Sequence, residues 1–147
     1  MTGSGHLEIV LRNLPADRKR LVGELTGFAA SRHVPDRAIH AVDLALEEHL
    51  TNVFHHAYAG SIEGVVRVRL ACTGSFLEIE IEDEGPPFDP TGSGEVDVSV
   101  PLEQRAMGGL GIHLMRQFMD VLEYRREKGR NILRMTKRFE SPPENSQ

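Results

Sequence analysis

The chain begins with an alternation of polar and apolar residues that is typical of a β-strand with one buried face. Segment His6–Arg12 has an apolar residue at every second position, and these residues are Leu7, Ile9 and Leu11. Asn13-Leu14-Pro15 comes next and has the form of a helix start with proline in the first turn. We therefore expect a strand over His6–Arg12 and then a helix from about Ala16 to Ala30. Its buried stripe should include Leu21, Leu25 and Phe28.

A second, longer helix is predicted from near Asp36 to about Tyr58. Its apolar residues recur at helical spacing and form one stripe that must face a sheet: Ile39, Val42, Leu46, Leu50, Val53 and Ala57. A solvated sector adjoins the stripe and contains His40, Asp43, Glu47 and Thr51. The remaining side carries Glu48 and Asn52 among small or apolar residues, which are Ala41, Leu44 and Ala45. Because a solvated face rarely has this composition, we infer that this side lines a cavity into which Glu48 and Asn52 both point.

Alternating segments further along the chain predict two hairpins. In the first, Val66–Leu70 alternates apolar residues with arginine, and Leu77–Glu82 alternates them with glutamate. The outer face of this hairpin should therefore set arginines opposite glutamates. The second hairpin closes the fold and consists of Val121–Arg126 and Asn131–Phe139 around Lys128-Gly129.

Between the hairpins, a loop from Pro86 to about Met107 precedes a third predicted helix, roughly Gly109–Asp120. Helices cannot all be buried between two sheets when there are so few strands, so the economical arrangement puts the helices on one face of a single sheet. The predicted fold class is an α/β two-layer sandwich with a mixed, largely antiparallel sheet. We expect one domain over residues 1–140 and a flexible polar tail over residues 141–147.

Composition argues against several classes of partner. The 147 residues include 17 basic and 22 acidic side chains, for a net charge of −5, and no block of lysine and arginine stands out. A nucleic acid is therefore not expected as a partner. No apolar stretch reaches membrane-spanning length and no signal peptide is evident, so we expect a cytoplasmic protein without a membrane partner. The single cysteine, Cys72, lies in an apolar run and is expected to be buried rather than reactive.

Candidate chemistry appears where an acidic residue leaves a predicted strand at a turn rich in glycine and proline. This segment is Asp83-Glu84-Gly85-Pro86-Pro87-Phe88-Asp89-Pro90, and its first carboxylate can accept a hydrogen bond from the amino group of a base. A glycine cluster, Gly108-Gly109-Leu110-Gly111-Ile112, then begins the third predicted helix, where backbone N–H groups can approach phosphates. Glu48 and Asn52 can bind a hydrated Mg²⁺ and orient a hydroxyl for phosphoryl transfer. Together these features predict a nucleotide site.

Other interpretations of the same residues are weaker. Neither a Walker A motif nor a strand-linked G-x-G-x-x-G motif is present, so P-loop and Rossmann sites are not expected. His49, His55 and His56 suggest a metal, but no H-E-x-x-H motif is present, and structural or pocket-edge histidines are favoured. Taken alone, Glu48 is most simply a solvated carboxylate. Its occurrence with the acidic turn and the glycine cluster favours the site.

Three motifs together resemble those of the Bergerat-fold ATPases, the superfamily of gyrase and histidine-kinase ATP domains. Glu48-x-x-x-Asn52, continuing into His56-Ala57-Tyr58, resembles the N box; Asp83-x-Gly85 resembles the G1 box, and Gly109-x-Gly111 the G2 box. Their spelling is most similar to that of the anti-sigma-factor serine kinases of the RsbW type. Phe88-Asp89-Pro90, Met119-Asp120 and the ending Asn131–Lys137 also fit that group. The resemblance extends from His6 to Lys137 without insertions.

The resemblance implies a role for each matching position. Glu48 is expected to be the general base for a serine or threonine hydroxyl, and Asn52 to ligate Mg²⁺. Asp83 is expected to accept the adenine amino hydrogen, with Gly85 allowing the base to approach. Residues from Pro86 to Met107 correspond to the ATP lid. The other positions expected at the cofactor are His55, His56, Phe88, Gly108, Gly109, Leu110, Gly111, Ile112 and Asn131.

The function implied is that of an ATP-dependent serine/threonine-protein kinase and anti-sigma regulatory factor in a partner-switching system. Relatives of this kind usually act as homodimers, bind ATP or ADP with Mg²⁺, bind a sigma factor or other output protein, and phosphorylate a STAS-domain antagonist. The chain departs from the pattern at His55, where many relatives carry lysine, at Pro86-Pro87, and at Asn131, where a threonine is frequent. These departures keep an alternative open, a nucleotide-gated module that sequesters a partner with little phosphotransfer. A bare ATPase or detached histidine-kinase domain is a third, weaker alternative.

Overall fold

A computed structural model describes residues 5–12, 14–54, 64–87, 89 and 115–139 of the chain. Its elements, in chain order, are β1 (Gly5–Leu11), α1 (Leu14–Ser31), α2 (Asp36–Asn52), β2 (Val66–Thr73), β3 (Phe76–Asp83), β4 (Val121–Glu127) and β5 (Arg130–Arg138). The five strands form one sheet in the order β1-β2-β3-β5-β4. Every neighbouring pair is antiparallel, so the described strands contain no parallel pair of the kind that a mixed sheet would have.

Both predicted hairpins are confirmed, and local chemistry explains their turns. Gly74 lies between β2 and β3 with a positive φ of 60°, a conformation that glycine adopts without steric cost. Lys128 and Gly129 between β4 and β5 have φ values of 54° and 79°. Two consecutive positive φ values are typical of the two-residue hairpin turn whose twist matches that of the strands. The register of β4 on β5 follows from this turn.

The helices pack on one face of the sheet, as predicted. Most of the predicted stripe of α2 is confirmed, because Val42, Leu46 and Leu50 are fully buried; Ile39 is half-buried, and Ala57 lies outside the described residues. They belong to one core with the inward-facing residues of the strands, which include Val68, Leu70, Ile79, Ile81, Leu133 and Met135. Alternate residues of each strand thus supply one layer of the core, and α1 and α2 supply the other. The two-layer α/β sandwich is confirmed.

The other face of the sheet carries the predicted opposition of arginine and glutamate. Arg67 lies opposite Glu82 and Arg69 opposite Glu80 in the β2–β3 register. Glu82 is only 6% exposed, and its carboxylate lies 3.3 Å from the Arg69 guanidinium and 3.1 Å from that of Arg130. A buried carboxylate needs such partners, since an unpaired charge would be costly to desolvate. Cys72 is free and buried, as expected.

Some predicted boundaries differ from the structure or lie outside it. The chain is helical over residues 115–118, which places the end of the third helix two residues before the predicted Asp120. The predicted end of the second helix, residues 55–58, lies outside the described residues, as do most of the predicted loop and all of the predicted tail. No helix in the described part of the chain is long and apolar enough to cross a membrane.

Candidate functional site

Asp83, the last residue of β3, is the centre of the candidate site. It is 3% exposed. Its Oδ1 accepts a hydrogen bond from the backbone N–H of Gly85, with 2.9 Å between the atoms, and another from Asn131 Nδ2, also at 2.9 Å. An aspartate that bonds to the backbone two residues on is a common way to turn the chain at the end of a strand. Oδ2 accepts no hydrogen bond from the residues that the structure describes.

Burial raises the pKa of Asp83 above its usual value. The hydrogen bonds from Asn131 and Gly85 and the nearby charge of Arg126 oppose this effect without cancelling it. The carboxylate is therefore desolvated but only partly compensated by the protein. A titratable group in this condition is typical of a binding site, since a ligand donor can supply the missing stabilisation.

Asn131 connects the closing hairpin to this turn. Its cross-strand partner is Asp83, and the pairing places β5 beside β3. Besides Asp83, Nδ2 donates to the carbonyl of Pro86 at 2.8 Å. Oδ1 accepts from the Tyr124 hydroxyl at 2.5 Å and from Arg126 at 3.1 Å. Both ends of the amide are therefore bonded, which holds the side chain in one orientation.

Tyr124 and Arg126 were missed by reasoning from the sequence, although a signal was present. Arg126 also donates to the carbonyl of Gly85 at 2.8 Å, so it contacts the turn directly. The predicted turn at Lys128-Gly129 sets Arg126 opposite Asn131, as the register confirms. Residues 124 and 126 of a strand share a face, so a polar pair opposite a predicted site residue could have been recognised.

Glu48 and Asn52 lie one turn apart on α2, as the sequence predicts. Asn52 is 1% exposed and Glu48 is half-buried. The amide nitrogen of Asn52 has no hydrogen-bond partner among the described residues. On the same side of the helix Ala45 is buried and Leu44 is 38% exposed.

The direction of α2 relates these two residues to the Asp83 turn. A cleft lined by Pro35 and Ala38 at the start of α2 is also lined by Lys137 and Phe139 at the end of β5. The start of α2 therefore lies beside the end of β5, and Asn131 lies at the other end of that strand. The 17 residues of α2 span about 25 Å at the usual helical rise, close to the length of β5. We therefore expect Glu48 and Asn52, near the other end of α2, to lie toward the end of the sheet that holds Asp83.

The described polar side chains would suit a nucleotide, with the amide oxygen of Asn52 left to hold Mg²⁺ and its nitrogen to donate to a phosphate. Asn52 offers an unpaired amide donor at a buried position, and Asp83 offers an acceptor oxygen at the end of a strand. Unpaired buried polar atoms are rare unless a ligand or water satisfies them. His49 differs, because it lies on the sheet-facing side of α2 at 2% exposure and burial lowers its pKa to about 4. His49 is thus a neutral core residue, in agreement with the structural role favoured above.

The structure therefore brings Asp83, Gly85 and Asn131 into direct contact and sets Glu48 and Asn52 on one side of α2. The remaining predicted site residues lie outside the described part of the chain: His55, His56, Phe88, Gly108, Gly109, Leu110, Gly111 and Ile112.

Comparisons with known proteins bear on the domain as a whole. Residues 11–137 match the model of the histidine kinase-like ATPase domain. The serine/threonine-protein kinase BtrW of Bordetella bronchiseptica is 32% identical over 93 residues, which are 63% of this chain and 66% of that protein. The serine-protein kinase RsbW of Bacillus licheniformis is 32% identical over 109 residues, 71% of this chain and 68% of that protein. RsbW of Listeria monocytogenes is 30% identical over 117 residues, 77% of this chain and 74% of that protein.

Among solved structures, the RsbU and RsbW domains of Rv1364c from Mycobacterium tuberculosis superpose with a TM-score of 0.62 at 18% sequence identity. The match covers 94% of this chain but 33% of that chain, so this protein corresponds to about a third of it and the likeness concerns the fold. The family match and the curated relatives go further than the fold. The chain belongs to the histidine kinase-like ATPase family and, within it, to the RsbW-like serine-protein kinases.

Proposed function

We propose that the chain uses ATP to phosphorylate a serine or threonine of a STAS-domain antagonist, and that it acts as an anti-sigma regulatory factor in a partner-switching system. The observation that carries the proposal is the buried Asp83, whose Oδ1 is held by Gly85 and Asn131 while Oδ2 accepts no hydrogen bond from the described residues. Kinases named RsbW and BtrW among the relatives support the reaction class.

Asp83 is the group that selects adenine in this proposal. An ionised carboxylate only accepts hydrogen bonds, so Oδ2 suits the 6-amino group of adenine and repels the 6-oxo group of guanine. Gly85 has no side chain to oppose the approach of a base, and its N–H is bonded to Oδ1, which leaves Oδ2 as the acceptor. The opposed polarity of the two purines predicts a clear preference for ATP over GTP.

Glu48 and Asn52 act at the other end of the nucleotide. Glu48 is half-buried and therefore remains accessible to a substrate hydroxyl, as a general base must. Asn52 would hold Mg²⁺, and its unpaired amide nitrogen would face an oxygen of the phosphates. When bound, the metal neutralises charge that develops on the transferred phosphoryl group. The protein contributes position, because one helix carries both side chains on one side.

The partners follow from the family and from the resemblance of the motifs. We propose that a sigma factor or another output protein binds the chain, that the STAS-domain antagonist competes for it, and that the chain works as a homodimer. The relatives named RsbW and the solved structure of linked RsbU and RsbW domains support a regulatory assembly of this type.

The test combines nucleotide titration with a phosphorylation assay. The purified chain is titrated calorimetrically with ATP, ADP and GTP in the presence of Mg²⁺, and is then incubated with labelled ATP and a STAS-domain protein encoded beside it. We expect ATP to bind more tightly than GTP and the label to appear on a serine or threonine of the STAS protein. Binding of ATP without transfer of label, together with nucleotide-dependent capture of a partner, would instead support the sequestering module. Failure of ATP to bind would refute both.

A further inference from the structure

Several hydrogen bonds from the closing hairpin hold the Asp83 turn, and the proposed adenine contact does not itself require them. Arg126 donates to the Gly85 carbonyl at 2.8 Å and to Asn131 Oδ1 at 3.1 Å. Tyr124 donates to the same Oδ1 at 2.5 Å, and Asn131 Nδ2 reaches the Pro86 carbonyl at 2.8 Å. Every one of these bonds joins β4 or β5 to the turn or to Asn131. The turn is therefore fixed from the neighbouring strands rather than by its own backbone alone.

We propose that Tyr124 and Arg126 are positioning residues for purine selection, which act on Asp83 through Asn131 and through the Gly85 carbonyl. This inference rests on the proposed role of Asp83 toward adenine. Neither side chain contacts Asp83 by a hydrogen bond in the described structure, so neither is assigned to the base directly.

The chain of contacts explains how two edge-strand residues control a carboxylate. Asn131 Oδ1 has two acceptor positions, and Tyr124 and Arg126 occupy both of them. The amide is then held with its nitrogen on Asp83 Oδ1 and on the Pro86 carbonyl. Because Asp83 Oδ1 accepts this hydrogen bond, rotation of the Asp83 side chain is restricted and Asp83 Oδ2 remains directed to the ligand. Arg126 adds a positive charge that favours the ionised, accepting form of the carboxylate.

The preference for adenine over a 6-oxo purine should depend on this arrangement more strongly than the affinity for ATP does. A fixed, ionised Oδ2 stabilises a 6-amino group and repels a 6-oxo group, whereas a loosened carboxylate does less of both. The ratio of the dissociation constants of inosine triphosphate and ATP measures this effect, because the two bases differ only in the group at position 6 and in the N1 proton that accompanies the 6-oxo group. A variant that only destabilises the fold lowers binding of both nucleotides alike and leaves the ratio unchanged.

The experiment measures this ratio by calorimetry for the full chain and for Tyr124→Phe, Arg126→Met and the double variant. Each single variant should lower the ratio by about threefold to tenfold, the usual value of one hydrogen bond. Arg125→Met is the matched control. Arg125 lies on the same strand, but its ion pairs are with Glu80 and Glu127, so the ratio should stay at the level of the unaltered chain. Arg126→Lys, which keeps the charge, replaces Arg126→Met if that variant does not fold.

A second background tests the route through Asn131. Tyr124 donates its only described hydrogen bond to Asn131. In an Asn131→Ala chain, Tyr124→Phe should therefore have no further effect on the ratio, whereas a general packing role for the hydroxyl would make the two effects additive.

The outcomes separate this inference from the proposed function. A preference for ATP in the unaltered chain that persists in Tyr124→Phe and Arg126→Met refutes the positioning role alone. An equal loss of the ratio in Arg125→Met also refutes it. Absence of ATP binding, or of any preference for ATP in the unaltered chain, refutes the proposed role of Asp83 and this inference with it.

Discussion

His49 makes the stability of the fold depend on pH. It is 2% exposed on the sheet-facing side of α2, its Nδ1 has no hydrogen-bond partner among the described residues, and burial lowers its pKa from 6.5 to about 4. The unfolded chain binds a proton at this residue below about pH 6.5, whereas the folded chain does so only near pH 4. Between these values the unfolded state carries more protons, so the free energy of unfolding rises with pH.

The magnitude follows from the size of the shift. A difference of one pKa unit corresponds to about 1.4 kcal/mol, so a fall from 6.5 to about 4 corresponds to about 3 kcal/mol at this single residue. That contribution is complete above pH 6.5 and is lost as the pH falls toward 4. It is a large part of the stability of an ordinary domain, which lies at about 5–15 kcal/mol.

The perturbation that isolates this effect is His49→Leu, which removes the titrating ring and keeps an apolar side chain in the core. Urea unfolding is followed by circular dichroism at a series of pH values from 7.5 to about 4, a range chosen to span the expected loss. The unfolding free energy of the unaltered chain should fall by about 3 kcal/mol more than that of His49→Leu over this range. The control is His40→Leu, at an exposed position on the same helix, and it should follow the unaltered chain.

Parallel pH profiles for His49→Leu and the unaltered chain would show that His49 is not buried in neutral form. A change of slope in His40→Leu equal to that in His49→Leu would place the effect outside the core and refute the reasoning in the same way.

The remaining predictions concern the site and the core. Glu48→Ala should abolish phosphotransfer in the labelled-ATP assay while ATP affinity stays within a few-fold, because a base acts mainly in the transition state. The control Thr51→Ala, at an exposed position on the same helix, should keep both phosphotransfer and ATP affinity. Native phosphotransfer by Glu48→Ala would contradict the assignment of Glu48 as the base. Asp83→Asn should weaken ATP binding in calorimetry and yet raise the urea midpoint at pH 7. The urea midpoint should rise because burial raises the pKa of Asp83, so the favourable contribution of this group to stability exists at low pH and is lost as the pH rises through the folded-state pKa. An unchanged ATP affinity in Asp83→Asn would count against the adenine contact. Leu46→Ala, at a fully buried position, should lower the unfolding free energy by about 2–5 kcal/mol. The control Leu44→Ala, at a position that is 38% exposed, should lower it by much less. Similar losses of unfolding free energy in the two variants would contradict the orientation of α2.

The sequence predicts most of the fold because its periodicities are local. Alternation in β2 and β3 determines which residues face the core, and the spacing of Val42, Leu46 and Leu50 determines which side of α2 faces the sheet. The two-residue turn at Lys128-Gly129 determines the register of the closing hairpin. These features depend on neighbours in the chain and need no knowledge of distant contacts.

The assembly of the site is less accessible to such reasoning. Asp83 and Asn131 are individually recognisable, but their contact depends on β5 lying beside β3, a pairing that is not sequential. The contributions of Tyr124 and Arg126 depend on the same pairing. The exposure of Leu44 also depends on tertiary packing, because a helical wheel cannot show where the sheet ends beneath the helix.

The bond between Asn131 and Asp83 joins residues that are 48 positions apart in the chain. The segment between them is therefore a loop whose two ends are joined by this hydrogen bond. The entropic cost of closing such a loop rises by only about 0.6 kcal/mol for each doubling of its length. A change in the length of the connection between the Asp83 turn and β4 is therefore compatible with an unchanged contact between Asp83 and Asn131.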